Sequence, residues 1–183
     1  MTDTLKNILD DLCGKNELIS VYVDPDDWGR FSVGYVDKVT ETHVRLRAIS
    51  PFGEDAGFEI RPLSEISKIE RDGKYEAKIE NLRHNRGHVF TEINPDSQSS
   101  GNLIEDTLKQ SHRDRAVIVL WGHDPDDSLT GYVEALGTEI VSIRLINEFG
   151  ENDGVATMKL DEITSIDFNT RDEQVRKFLF DAG

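Results

Sequence analysis

Gly34-Tyr35-Val36-Asp37-Lys38-Val39 and Gly131-Tyr132-Val133-Glu134-Ala135-Leu136 are variants of one passage, and the parallel between the stretches downstream of them decides the fold. From these glycines onward the two stretches stay in register without a gap. Phe52-Gly53-Glu54 matches Phe149-Gly150-Glu151, and Gly57 matches Gly154. Leu63, Glu65, Ile66 and Ile69 match Leu160, Glu162, Ile163 and Ile166. Fourteen of the 36 positions from Gly34 to Ile69 are identical in the second copy, which marks an internal duplication. Upstream, Asp24-Pro25-Asp26-Asp27 recurs at Asp124-Pro125-Asp126-Asp127, and the first copy then carries three extra residues before its glycine. The modules run over residues 1–82 and 102–183. Residues 83–101, ending Asn94-Pro95-Asp96-Ser97-Gln98-Ser99-Ser100-Gly101, have the polar composition of a linker.

Each module reads alike. Leu5, Ile8, Leu9 and Leu12 stand at helical spacing with Gly14 placed to end the helix, and the second copy repeats this from Leu103 to Lys109. A first strand comes next at Leu18–Val23 and Ala116–Trp121, where Trp121 reads as core, and stops at the Asp-Pro-Asp-Asp turn. Strand two is Phe31–Val39 and Leu129–Leu136. In strand three Val44, Leu46 and Ala48 alternate with Arg45 and Arg47, as Val141, Ile143 and Leu145 do with Ser142 and Arg144. Strand four is Phe58–Leu63, and a short strand five lies at Ile66–Glu70. A closing helix carries Tyr75, Ile79 and Leu82, or Val175, Phe178 and Leu179, with Thr170 and Glu173 forming a capping box in the second copy.

Five short strands in so few residues suit a small, sharply bent barrel, and a mid-strand glycine is what a coiled strand needs. A helix, five bent strands, the strand-two glycine and a Leu-x-Glu-Ile-x-x-Ile step between strands four and five resemble the Sm-like, or more broadly SH3-like, small barrel. The expected fold is therefore mainly β with flanking helices: two tandem five-stranded Sm/SH3-like barrels.

The resemblance implies rings that bind RNA, with an aspartate and an asparagine downstream of the strand-two glycine to hold a base. Here Val39-Thr40-Glu41-Thr42-His43-Val44 and Leu136-Gly137-Thr138-Glu139-Ile140-Val141 lack the asparagine. The Arg-Gly or Lys-His pair expected between strands four and five is replaced by Ser64-Glu65 and Asp161-Glu162. Carboxylates there repel phosphate.

Charge points the same way. The 183 residues include 36 acidic and 21 basic side chains, a net charge of −15, with −6 on residues 1–82, 0 on the linker and −9 on residues 102–183. Such a field disfavours indiscriminate binding to nucleic acid or anionic membranes. The longest apolar run, Ala116 to Trp121, is six residues, against about 20 for a membrane span. No basic region leads into an apolar stretch at the N-terminus, and the single cysteine, Cys13, excludes an intramolecular disulfide. A cytoplasmic protein is expected.

Chemistry-bearing motifs are sparse. The Asp-Pro-Asp-Asp loops bring carboxylates together but lack the alternate ligands, glycine and terminal glutamate of a calcium loop, so they read as aspartate-rich β-turns. His84 and His88 stand four apart, with Gly87 breaking the helix they would need. No phosphate loop, nucleophile elbow or acid/base pair is present. No catalytic, cofactor or metal residue is assigned. Arg47 and Arg144, equivalent in strand three, read as partners of surface acids. Trp28 and Phe31, in the first copy's insertion, are the candidate partner contact as an exposed apolar spot on the hairpin, against the competing reading of a core or barrel-mouth position. The expectation is a non-catalytic protein-interaction or scaffold module whose partner is a protein, self or another chain. The alternative is a divergent Sm-like RNA-binding ring, and a carboxylate-dependent metal enzyme comes third.

Overall fold

The computed structural model describes residues 4–91, 93–124 and 128–183. The chain divides into two units, Met1–Asn85 and Arg86–Gly183. The first is α1 (Leu5–Leu12), β1 (Leu18–Tyr22), β2 (Phe31–Val39), β3 (His43–Ile49), β4 (Asp55–Pro62), β5 (Lys68–Arg71) and α2 (Lys74–His84). The second has α3 (Arg86–Val89) and α4 (Leu103–Asp114), then β6 (Val117–Trp121), β7 (Ser128–Leu136), β8 (Ile140–Ile146), β9 (Asn152–Lys159), β10 (Ser165–Phe168) and α5 (Arg171–Ala182). A 3-10 turn, Leu63–Glu65 or Leu160–Glu162, joins the last two strands of each.

Each unit is one antiparallel five-stranded sheet with flanking helices. The strand orders are β4-β3-β2-β1-β5 and, equivalently, β9-β8-β7-β6-β10. Hydrogen bonding closes neither sheet, so β4, β5, β9 and β10 are edges where a closed barrel would have none. The copies agree down to their irregularities: bulges fall at Val36/Lys38 and Arg47/Ile49, and again at Val133/Ala135 and Arg144/Ile146. Bulges bend a strand and raise its twist.

The mid-strand glycines have a steric cause. A Cβ on Gly34 would run into the backbone carbonyl of Arg47, and one on Gly131 into that of Arg144. Strands β2 and β3 thus approach closely where the sheet coils. The inner face encloses α1's Leu9 and Leu12 with Ile19, Val36, Val44 and Leu46, all at 2% exposure or less. Leu108, Ile118, Leu120, Val141 and Ile143 repeat that core in the second unit, each fully buried. Burying one such side chain is worth about 1.5–3 kcal/mol.

The closing helices are latched at both ends. Asp72 and Asn169 take left-handed conformations (φ 57° and 56°), which Asp and Asn tolerate, and turn the chain into α2 and α5. The next amides, of Gly73 and Thr170, donate to the carboxylates of Glu76 at 3.1 Å and Glu173 at 2.5 Å. At the far end Gly53 and Gly150 (φ 74° and 75°) lie against the last turn of the helix, where a Cβ would meet its backbone. Glu76 and Glu173 are 4% and 3% exposed. The hydroxyl of buried Ser20 supplies Glu76 with a second donor.

Besides shifts of one or two residues at strand ends, such as strand five at Lys68–Arg71 rather than Ile66–Glu70, three differences from the pattern-based expectation stand out. Helix α4 continues past Lys109 because Gln110 and Ser111, though polar, are buried and satisfied: Ser111 Oγ donates to the Thr107 carbonyl at 2.6 Å and Gln110 Nε2 to that of Asn94 at 2.9 Å. Strand β4 begins at Asp55, three residues early, since an exposed edge strand needs no apolar alternation. Within residues 83–101, α2 runs to His84, Val89 of α3 is 3% exposed, and Asp96 N–H donates to Gln110 Oε1 at 3.1 Å. Residues 86–101 belong to the second unit.

Gly34→Ala and Gly131→Ala should each destabilise their unit by about 2–3 kcal/mol, the cost of overpacking against unyielding backbone, read by urea denaturation. Burial holds the Glu173 carboxyl above its usual range. Because the folded state binds that proton more tightly, its contribution to stability is present at pH below about 4.5 and lost as pH rises through the raised value. Glu173→Gln keeps an acceptor for the Thr170 amide without the charge, so stability near neutral pH should hold or rise and its dependence on pH between 7 and 4 should flatten.

Candidate interaction surface

Strand register gathers aromatic side chains at one end of the first sheet. Tyr22, the last residue of β1, lies opposite Phe31 of β2 and Lys68 of β5. The Phe31 ring stacks on Tyr22 at 4.9 Å and meets Tyr75 of α2 edge-on at 5.0 Å. Trp28 comes over from the β1–β2 loop to meet Tyr22 edge-on at 5.6 Å. The Lys68 ammonium lies 3.8 Å from the Tyr22 ring centre and 4.2 Å from that of Trp28, a cation–π arrangement with both. Its charge is balanced by Glu70 at 2.8 Å, which also accepts the Tyr22 hydroxyl at 2.6 Å. Burial and that carboxylate push the Tyr22 phenol up.

Trp28 and Phe31 are thus brought together through Tyr22. Trp28 is 48% exposed, whereas Phe31 is half-buried between two rings. Tyr22, Lys68 and Tyr75 complete the cluster, and the sequence pattern does not single them out. Part of the signal is local, as three aromatics between positions 22 and 31, but Lys68 and Tyr75 arrive only by sheet pairing and helix packing.

A second apolar feature lies on the β4 edge. Phe58 and Ile60, two apart and so on one face, are 63% and 61% exposed. Their β3 neighbours on that face are Arg47 and Arg45. Arg45 stacks on Phe58 at 5.5 Å and pairs with Asp37 at 2.5 Å. Arg61 pairs with Glu59 at 2.7 Å and Arg83 with Asp55 at 3.0 Å. This edge is therefore apolar with nearly balanced charge, unlike the chain as a whole. The corresponding positions of the second unit are Val155, 50% exposed, and Thr157, whose hydroxyl bonds Ser142 at 2.9 Å.

The remaining sequence candidates fall into place around these. Arg144 pairs with Glu134, as expected, but Arg47 lies 4.8 Å over the Tyr35 ring instead. The Tyr35 hydroxyl donates to Glu80 at 2.7 Å, and burial with this bond pushes it up to about 12. Trp121 is not in the core. It is half-exposed, and its indole N–H donates to Asp167 at 2.8 Å, a pairing that lets an indole sit at a strand end. Asp24 accepts the amide of Asp26 at 2.9 Å and Asp27 that of Gly29 at 3.0 Å, the local bonding of an aspartate turn. The Pro125-Asp126-Asp127 part of the second loop lies outside the described residues. Strand register makes Tyr22 and Trp121 equivalent, so the motif starts two residues after the strand in one copy and three in the other. Cys13 is exposed, its thiol toward the Asp37 carbonyl at 3.3 Å. Helix α2 ends at His84, so His84 and His88 do not share its face. Among the described residues no group of three or more His, Cys, Asp or Glu is placed to hold a metal ion. Among them, too, no helix is long and apolar enough to cross a membrane.

Trp28→Ala should cost about 1 kcal/mol or less in urea denaturation, since half of the ring is already in water and its edge-on contact is worth about 0.5–1.5 kcal/mol. A loss above about 2 kcal/mol would make Trp28 a packing residue and remove it as a contact surface. No family model, curated protein or solved structure matches this chain, so its function rests on its own residues.

Proposed function

We propose that the chain is a non-catalytic protein-interaction module of two tandem Sm-like small barrels, which adds a strand of a different, basic polypeptide to its open β4 edge. The observation that carries this is the exposure of Phe58 and Ile60 on an edge strand. An edge offers a row of backbone donors and acceptors, and two apolar side chains beside it supply contact area and register. The barrel reading is supported by the coiling at Gly34 and Gly131 and by the bulges, which bend each sheet toward closure. The partner is basic because a net charge of −15 attracts cations over distance and opposes the stacking of identical copies. Trp28 forms a second contact from the same unit. The protein works in the cytoplasm, where the exposed Cys13 stays reduced.

Light scattering behind a sizing column should give the monomer mass of 20.7 kDa. Three times that mass would mean a ring of copies and would favour the RNA-binding alternative, to be tested by titrating oligouridine at low salt. Affinity capture should then be run in parallel with the native chain and with Phe58→Asp/Ile60→Asp, both checked for an unchanged circular dichroism spectrum. The expected result is a basic protein retained by the first, lost from the second and released by salt. Identical retention by both would rule out the β4 edge.

A further inference from the structure

A pocket of about 260 Å³ opens in the second unit between the C-terminal ends of α4 and α5 and strands β7 and β8. Its apolar wall is Tyr132, 8% exposed, and Phe180, which meets it edge-on at 5.4 Å. Charges around that wall do not balance. Glu134 is taken by Arg144, and Asp181 by Lys177 at 2.7 Å. The Arg115 guanidinium, 5.8 Å over the Tyr132 ring, has no carboxylate at ion-pair distance among the described residues. Nearby Asp114, outside the pocket lining, is held at 2.8 Å by Arg113, which also pairs with Asp96 at 3.0 Å.

Arg115 also occupies a position that suits another residue. It caps α4 in the left-handed conformation (φ 49°, ψ 49°), where glycine is the usual choice. His112, on the same turn, has its Nδ1 tied to the Val133 carbonyl at 2.8 Å, which fixes the ring at the pocket's rim. The first unit differs at this place. Arg83 stands where Phe180 does, and both Arg47 and Arg83 lie over the Tyr35 ring, at 4.8 and 5.8 Å. The first copy also sets a guanidinium on its tyrosine, so what distinguishes the second copy is a second ring, Phe180, beside the tyrosine and the cation.

We propose that this pocket binds a small aromatic carboxylate, its ring against Tyr132 and Phe180 and its carboxylate on Arg115. Among the lining residues one positive charge is in excess, which matches a monoanion, and a planar carboxylate fits a guanidinium fork. A phosphate dianion would be left half-compensated in a chain of net charge −15. At about 30 Å³ per water the volume equals roughly eight or nine waters, the bulk of a single ring with a short substituent. This site is separate from the β4 edge, and either reading can fail without the other.

The test is titration of the full ¹⁵N-labelled chain with benzoate and, in parallel, with its neutral analogue benzamide. Benzoate should move the amide signals of Arg115, Tyr132 and Phe180 and bind at least tenfold more tightly than benzamide. Arg115→Gly places at φ 49° the residue that tolerates it best, so the melting temperature should hold or rise while benzoate binding weakens at least tenfold and benzamide is unaffected. Equal titration by the two ligands, shifts confined to other residues, or benzoate binding indifferent to Arg115→Gly would each overturn the proposal. Inorganic phosphate moving the same signals as strongly as benzoate would also overturn it, by reducing the site to simple charge attraction.

Discussion

The carbonyl oxygens of Arg47 and Arg144 occupy the space that a side chain at position 34 or 131 would need, and each unit is arranged around that contact. Without it β2 and β3 could not approach so closely where they cross. With it the pair coils, the bulge after Val36 or Val133 sharpens the bend, and the inner face becomes concave enough to hold α1 or α4. Leu9 and Leu12, or Leu108, then meet strand residues from both sides of the bend and lose all contact with water. The glycine contributes nothing to the core directly; it sets the curvature that lets a core of this size exist.

The helix after the last strand packs through Ile79 and Leu82, or Val175 and Leu179, and polar groups and a glycine loop fix its two ends. A buried glutamate accepting the amide three residues earlier orients α2 and α5 at their starts, and a glycine loop from between the third and fourth strands abuts their ends. Burying a carboxylate costs free energy unless its oxygens find donors. Glu76 finds two, the Gly73 amide and the Ser20 hydroxyl, and so links the helix start to the central strand β1. In the second unit Val119 faces the corresponding place on β6, and burial raises the Glu173 carboxyl.

Most of the fold was legible because duplication let each copy check the other. Apolar alternation in β3 and β8, the helical spacing of Leu5 to Leu12 and the shared glycines all correspond to observed elements. The less legible parts share one physical reason: they depend on hydrogen bonding rather than apolar period. Gln110 and Ser111 continue α4 as buried polar residues, and Gly73 keeps half a capping box without the hydroxyl that would announce it. Closure of the sheet is likewise a matter of backbone pairing between strands far apart in sequence, which no local pattern encodes. Of the candidate surface, Trp28 stands out as part of an insertion, whereas strand register makes Phe31 the counterpart of Ser128. Phe58 and Ile60 read as ordinary strand residues, because nothing local tells which apolar side chains of a strand will be covered until its pairing is known.

Trp28 and Trp121 are the chain's two indoles, one in each unit, and both belong to the β1–β2 corner or its counterpart. Trp28 sits beside a lysine ammonium, half in water, while Trp121 donates to a carboxylate from β10. Duplication and divergence have thus given each half its own optical label in a distinct electrostatic setting. Replacing either indole by phenylalanine leaves the other as a reporter of one unit alone, so that cooperativity between two modules of common ancestry can be read by emission within a single uncut chain.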